Sequence, residues 1–259
     1  MHFRREYKTR RRRRDASFAA FAMQDADDSR CVEIGRPDAN RLVAVLNDRI
    51  ILAEPSALND QGFGVQRASL TKEDVSEVFG RLADRLADYL KRRPVTVPLH
   101  FVTNRRRLMF TAGTHQDRYI VHFRVHYKDY NSDDGFRPGK EGITFNRSSF
   151  SRAVRLMLPA YELVALPKDE ALRRGLTDDM ETFLSHFRRP EDDAADTLEI
   201  SEYGRHLRER SRDPDCPPDL RDFYRDHFKE ALTAIVGRVI ARRLEVQEET
   251  ERGESFYTI

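Results

Sequence analysis

Apolar positions along the chain switch between two periods, and the switch happens twice in the same order. Cys31 to Ile34, Arg41 to Leu46 and Arg49 to Ala53 read as short strands, and Ala68 to Leu70 reads as a fourth after Gly62 and Gly64. A helix is then predicted from Thr71, a natural N-cap, with Glu73 and Asp74 in its first turn, where carboxylates favour the exposed amides. Val75, Val78, Phe79, Leu82, Leu86, Tyr89 and Leu90 recur at three- and four-residue steps until Arg92, Arg93 and Pro94 end the run. Residues 95–165 repeat this order: Val97 to Val102, Arg106 to Thr111, Arg118 to Tyr127 and Ile143 to Phe145 as strands. A closing helix follows, capped near Asn146, Ser148 or Ser149, carrying Phe150, Val154, Met157 and Leu158 on one face and interrupted at Pro159.

The two helix starts align, with ASLTKEDVSEVF (68–79) over ITFNRSSFSRAV (143–154). Upstream, the DQGF and Gly64 of 60–64 lie over DDGFRPG (133–139), with Arg137-Pro138 as an insertion. The pattern predicts a degenerate tandem repeat of a four-strand-plus-helix unit about 65 residues long. The expected fold class is therefore α+β, with one unit over 31–94, a second over 95–165, a basic arm over 1–30 and a helical extension with an acidic tail over 166–259.

Charge then separates the units. The chain is 35% charged with a formal net charge of +2, yet residues 1–14 alone carry +7. Such an arm cannot fold by itself. It reads as a polyanion-binding or nuclear-import segment, or, being Arg-rich and acid-poor ahead of Phe18 and Phe21, as a mitochondrial presequence, or as a solvated tail. The expectation is an intracellular protein, nuclear by the first reading and mitochondrial by the second. Residues 95–165 carry +5, whereas 31–93 balance to zero, so the second unit is the better candidate for binding a polyanion.

Along RYIVHFRVHYK, strand alternation sends Tyr119, Val121, Phe123, Val125 and Tyr127 to one face and Arg118, Ile120, His122, Arg124, His126 and Lys128 to the other. A sheet that buries the first set shows a basic second face. His122 and His126 would lie about 13–14 Å apart along a strand, too far to share one metal ion. Cys31 and Cys216 are far apart with no C-x-x-C spacing, so neither a zinc site nor a disulfide framework is expected. No cofactor is implied. No phosphate-binding loop, G-x-S-x-G or H-E-x-x-H is present, which argues against the common enzyme classes. No apolar run of the length of a membrane span occurs.

The stretch RYIVHFRVHYKDYNSDDGFRPGKEGITFNRSSFSRAV (118–154) resembles the single-stranded-DNA-binding domain of the transcriptional coactivator family called positive cofactor 4. The likeness rests on a strand of alternating apolar residues, an acidic Gly-containing turn, a basic-Pro-Gly-basic-x-Gly tip, an Ile-Ser-Leu-like strand and a helix. Here the tip is Arg137-Pro138-Gly139-Lys140-Glu141-Gly142. Glu141 stands where the family tends to have a base, and the first unit has Val65 and Gln66 in place of Lys140 and Glu141. The resemblance implies curved antiparallel sheets backed by helices, paired as a dimer that receives single-stranded DNA in transcription regulation or DNA replication. Two copies in one chain imply an intramolecular pseudodimer.

On that reading Pro138 and Gly139 reverse the chain so that Arg137 and Lys140 project from the sheet rim. Arg105, Arg106 and Arg107 extend the track formed by Arg118, His122, Arg124, His126 and Lys128. Tyr130 and Phe136 offer rings for base stacking, whereas Phe110 and Tyr127 fit the core equally well. No recognition helix with clustered base-reading residues is evident, which favours unpaired DNA over duplex and leaves RNA open.

The last third reads as helical. Leu172, Leu176, Met180, Phe183, Leu184 and Phe187 mark one helix, and Glu191 to Asp196 an acidic loop. A long helix with a wide apolar stripe then runs from Leu220 to Leu244. That stripe needs a cover, either the repeats or its copy in a homo-oligomer. The acidic tail EVQEETERGESFYTI is read as a site for transcription or replication proteins, or as a frayed end. The alternatives to DNA binding are an oligomeric adaptor that kept the fold without nucleic-acid binding and an RNA-binding organellar protein.

Overall fold

The computed structural model describes residues 31–54, 66–129, 135–186 and 200–256; the basic arm, the loop carrying Tyr130 and the acidic loop around 191–196 lie outside the described residues. The chain is an α+β protein with two four-stranded antiparallel sheets and, among the described residues, seven helices. Strands β1 (Cys31–Asp38), β2 (Arg41–Leu46), β3 (Arg49–Ala53) and β4 (Arg67–Leu70) form the first sheet in sequence order. Strands β5 (Val95–Thr103), β6 (Arg106–His115), β7 (Arg118–Lys128) and β8 (Phe136–Asn146) form the second in the same order.

Local chemistry accounts for the meander. Gln116 and Asp117 take φ of 48° and 60° in the two-residue loop between β6 and β7, the conformation that matches the twist of a tight hairpin. Asn47, at φ 57°, does similar work between β2 and β3. In both sheets the first hairpin closes three residues apart, Asp38 opposite Arg41 and Thr103 opposite Arg106, and both first strands are irregular beside it.

Helix α1 (Lys72–Asp84) begins at the predicted cap: the Thr71 hydroxyl accepts from the Asp74 amide at 3.1 Å, and Asp74 accepts from the Thr71 amide at 2.8 Å. The apolar run read as one helix breaks at Arg85, and α2 (Leu86–Leu90) finishes it. Helix α3 (Arg147–Ala165) starts at Asn146, whose side chain accepts from the Ser149 amide at 2.8 Å. It runs on through Pro159, where the sequence predicts an interruption. Ala160 and Tyr161 are fully buried beyond the proline, and their packing offsets the lost hydrogen bond.

Each helix serves the sheet of the other unit. Helix α3 packs against β1 and β2 as well as β7 and β8, and Gly35 in β1 lets Leu156 approach so closely that an added Cβ would stand 2.9 Å from it. Helix α1 in turn packs on β5. Buried Asp74 carries that contact, accepting from the His100 amide at 2.9 Å and facing His100 Nδ1 at 2.6 Å. At the reciprocal position Asp38 of β1 is hydrogen-bonded by Ser149 at the start of α3. Burial disfavours the Asp38 carboxylate, but Ser149, the Asn40 amide and Arg41 outweigh it and hold its pKa below the ordinary value.

One continuous core results. Phe110, Phe123, Phe145 and Phe150 form its aromatic centre, with ring centroids 5.2–6.4 Å apart, and Val43, Leu52, Phe79 and Leu82 of the first unit join it.

The C-terminal third closes the helical layer. It comprises α4 (Glu170–His186), α5 (Ile200–Arg210), α6 (Pro218–Asp226) and α7 (Phe228–Phe256). The single long helix expected from Leu220 breaks at His227, and α5 was not read from sequence, although Ile200, Tyr203 and Leu207 sit at helical spacing. The wide stripe finds its cover within the chain: α7 lies along α1 and α3, with Ala234, Ile235 and Ile240 buried. Lys72 to Glu230 at 2.8 Å, Arg155 to Glu245 at 2.8 Å and Glu248 at 3.0 Å, and Arg238 to Glu162 at 2.6 Å fasten it. The supposed acidic tail is therefore helical through residue 256, and two of its carboxylates are held by Arg155.

Because Asp74 both caps α1 and satisfies His100 of the other sheet, Asp74→Ala is expected to lower stability by about 2–4 kcal/mol, combining a lost cap with a buried donor left unmet. Asp74→Asn, which keeps an acceptor, should cost less. Urea denaturation of the three proteins checks the order.

Candidate nucleic-acid interface

The second sheet buries one face and turns the other outward, as the alternation of β7 requires. Tyr119, Val121, Phe123 and Val125 are buried, whereas Arg118 and Lys128 are exposed and His122, Arg124 and His126 half-buried. Register brings Arg107 opposite His126, Met109 opposite Arg124 and Thr111 opposite His122 on one side. On the other side Thr144 stands opposite His122 and Gly142 opposite Arg124. Across β6, β7 and β8 the outward positions thus collect Arg107, Arg118, Arg124 and Lys128 with no Asp or Glu among them.

The basic-Pro-Gly-basic-x-Gly segment is not the reverse turn expected from Pro138 and Gly139. Residues 136–146 are one strand, with Arg137 opposite Tyr127 and Pro138 opposite His126. The register then jumps to Arg124 opposite Gly142, so Gly139, Lys140 and Glu141 bulge out opposite Val125 alone. The bulge explains both glycines. A Cβ at Gly139 would overlap the Tyr127 ring, and one at Gly142, at φ +142°, would overlap the Phe123 carbonyl oxygen. Lys140 lies in this bulge, exposed and without an ion pair among the described residues. Arg137 is 73% exposed, with Asp129 at 3.6 Å.

The three consecutive arginines do not form one track. Arg105 is exposed in the β5–β6 turn, and Arg107 faces outward with its guanidinium 4.7 Å from the Phe101 ring centroid. Arg106 points to the opposite face, because neighbours in a strand alternate. There it pairs with Glu141 and lies 5.2 Å over the Tyr127 ring, whose hydroxyl donates to Glu141 at 2.7 Å. Arg106 is therefore committed to holding the bulge. Glu141, the departure from the family pattern, is its partner. Phe110 is core, Phe136 meets Phe101 with ring centroids 6.3 Å apart, and Tyr130 lies outside the described residues.

Phe101 itself went unread in the sequence. Alternation along Val95, Val97 and Leu99 breaks after Leu99, leaving His100-Phe101-Val102 as the only trace. An irregular register places Phe101 opposite Arg107 on the outward face.

The charge on this face at neutral pH comes from Arg and Lys. Burial first, then Arg124, His115 and His126, push His122 down to about 4; burial and Arg124 likewise lower His126. His122 Nδ1 stands 2.8 Å from the Thr144 hydroxyl. Arg124 is held loosely, donating to the Gly139 carbonyl and to Thr144 Oγ1, both at 3.4 Å, while its Nε has no partner among the described residues. The corresponding face of the first sheet differs in kind: Leu42, Ala44, Ile51 and Ala53 form a separate, buried apolar cluster with Leu46 beside it.

No group of three or more His, Cys, Asp or Glu among the described residues could hold a metal ion, and no described helix is long and apolar enough to cross a membrane. No protein-family model, curated protein or solved structure matches this chain.

Two outcomes follow from this geometry. Gly142→Ala should cost at least about 2 kcal/mol, since the new Cβ meets backbone in a conformation other residues avoid; a melting temperature within a degree of the parent would contradict the bulge. His122 takes protons at 6.5 when unfolded but only near 4 when folded, so its contribution is present above pH 6.5 and lost as pH falls towards 4. In urea titrations the stability gap between the parent and His122→Gln should therefore shift in favour of the variant from pH 7 to pH 4.5.

Proposed function

We propose that the protein binds single-stranded DNA on the outward face of the second sheet, with the two units packed as an intramolecular pseudodimer of the positive cofactor 4 kind. The observation that carries this reading is the acid-free outward face, where Arg107, Arg118, Arg124 and Lys128 stand in register with Lys140 bulging beside them. A phosphate backbone gains by displacing its counterions onto such a surface, and no helix projects from it to enter a duplex groove. The pseudodimer reading is supported by the reciprocal packing of α1 on β5 and α3 on β1. Transcription regulation or DNA replication is the setting that suits the resemblance. Recruitment of proteins of those processes would fall to the end of α7 beyond Glu248.

The apolar second face of the first sheet favours an adaptor function as the second reading, with that unit contributing no phosphate contacts. Titration of labelled oligo-dT at several salt concentrations separates the two. Single-strand binding gives a log-log slope of about −0.7 for each phosphate neutralised, so Arg118→Ala combined with Lys128→Ala should flatten it by about 1.4. No binding at low salt by the folded protein would leave the adaptor reading. A matched oligo-rU series decides between DNA and RNA.

A further inference from the structure

Phe101 is the large apolar side chain most at odds with its surroundings. It is 56% exposed, next to Val102 at 42%, on the outward side of a sheet whose other face supplies the core. A lone exposed hydrophobe needs no explanation, but this one is built in. The irregular register of β5 turns it outward, opposite Arg107. The Arg107 guanidinium lies over its ring at 4.7 Å and is itself fixed by donating from Nε to the Leu99 carbonyl at 2.9 Å. Phe136, from the strand at the other edge of the sheet, comes within 6.3 Å of it, centroid to centroid, at an interplanar angle of 53°. Two aromatic rings from opposite edges thus meet at the end of the cationic face where His126 and Lys128 lie.

We propose that Phe101 is a nucleobase-stacking subsite, backed by Arg107 and flanked by Phe136, at which a strand lying along β7 places one unpaired base. The inference rests on the single-strand reading above. Every base has a π-face, so a ring held rigid against a guanidinium accepts any of them, while Arg105 in the adjacent turn and Lys128 on the neighbouring strand supply charge for the phosphates on either side. Duplex DNA keeps its bases stacked on one another and has none to offer. The subsite therefore adds a preference for unpaired strands that phosphate contacts alone do not provide.

Phe101→Trp supplies the probe, since the chain contains no tryptophan and the variant has a single indole. Oligo-dT should quench its emission, whereas an oligomer of equal length made of abasic tetrahydrofuran units should bind without quenching. In parallel, Phe101→Ala should weaken oligo-dT binding by roughly 5- to 100-fold, leave its salt slope unchanged and leave abasic binding unchanged. Circular dichroism confirms that the variants are folded. If oligo-dT binds but Phe101→Ala has no effect, or weakens both oligomers equally, the stacking subsite is wrong and the phosphate-binding face stands. If the parent protein binds neither oligomer at low salt, both fall.

Discussion

A four-stranded sheet with one short helix cannot close a core by itself, and the fold depends on how this chain meets that constraint. Each helix is shared: α1 leans on β5 and α3 on β1, so that apolar surface left by one unit is covered by the other. Polar links fix the arrangement at both ends. Asp74 caps its own helix and accepts from His100, and Ser149 at the start of α3 meets Asp38. Helix α7 then covers the remaining side of α1 and α3, with Gly237 so close to Phe79 that a methyl group there would stand 2.6 Å from the ring.

Sharing the helices on the inner side leaves two outward sheet faces whose chemistry is free to diverge. In the second sheet that face is polar and cationic, with His122 kept neutral by burial beside Arg124. In the first it is a small apolar cluster around Leu42 and Ile51. A repeat that has been kept for its inner face need not keep the chemistry of its outer one. The strand topology can therefore be common to both units while their surfaces are not.

The bulge of β8 shows why one motif spelled out in sequence took an unexpected shape. Pro138 and Gly139 in a run of polar residues have the composition of a turn. Gly139, however, is needed because the Tyr127 ring crosses the position of its missing Cβ, and Gly142 because the Phe123 carbonyl does. Glu141 and Arg106, which in sequence read as an intruding acid and one more base, are partners that lock Tyr127 between them.

Periodicity by itself determined the strand order, the Thr71 cap, the buried and outward sides of β7 and the presence of two similar units, because alternation and helical spacing are local properties of the chain. It could not decide which sheet each helix would cover, that α3 would continue through Pro159, that the long C-terminal stripe would break at His227 and fold back, or that Arg106 would turn inward while Phe101 turned outward. Those outcomes depend on contacts between residues far apart in the chain and on irregular register in β5 and β8. A single extra residue reverses the face of everything beyond it, and only the packed partner strands reveal where that residue lies.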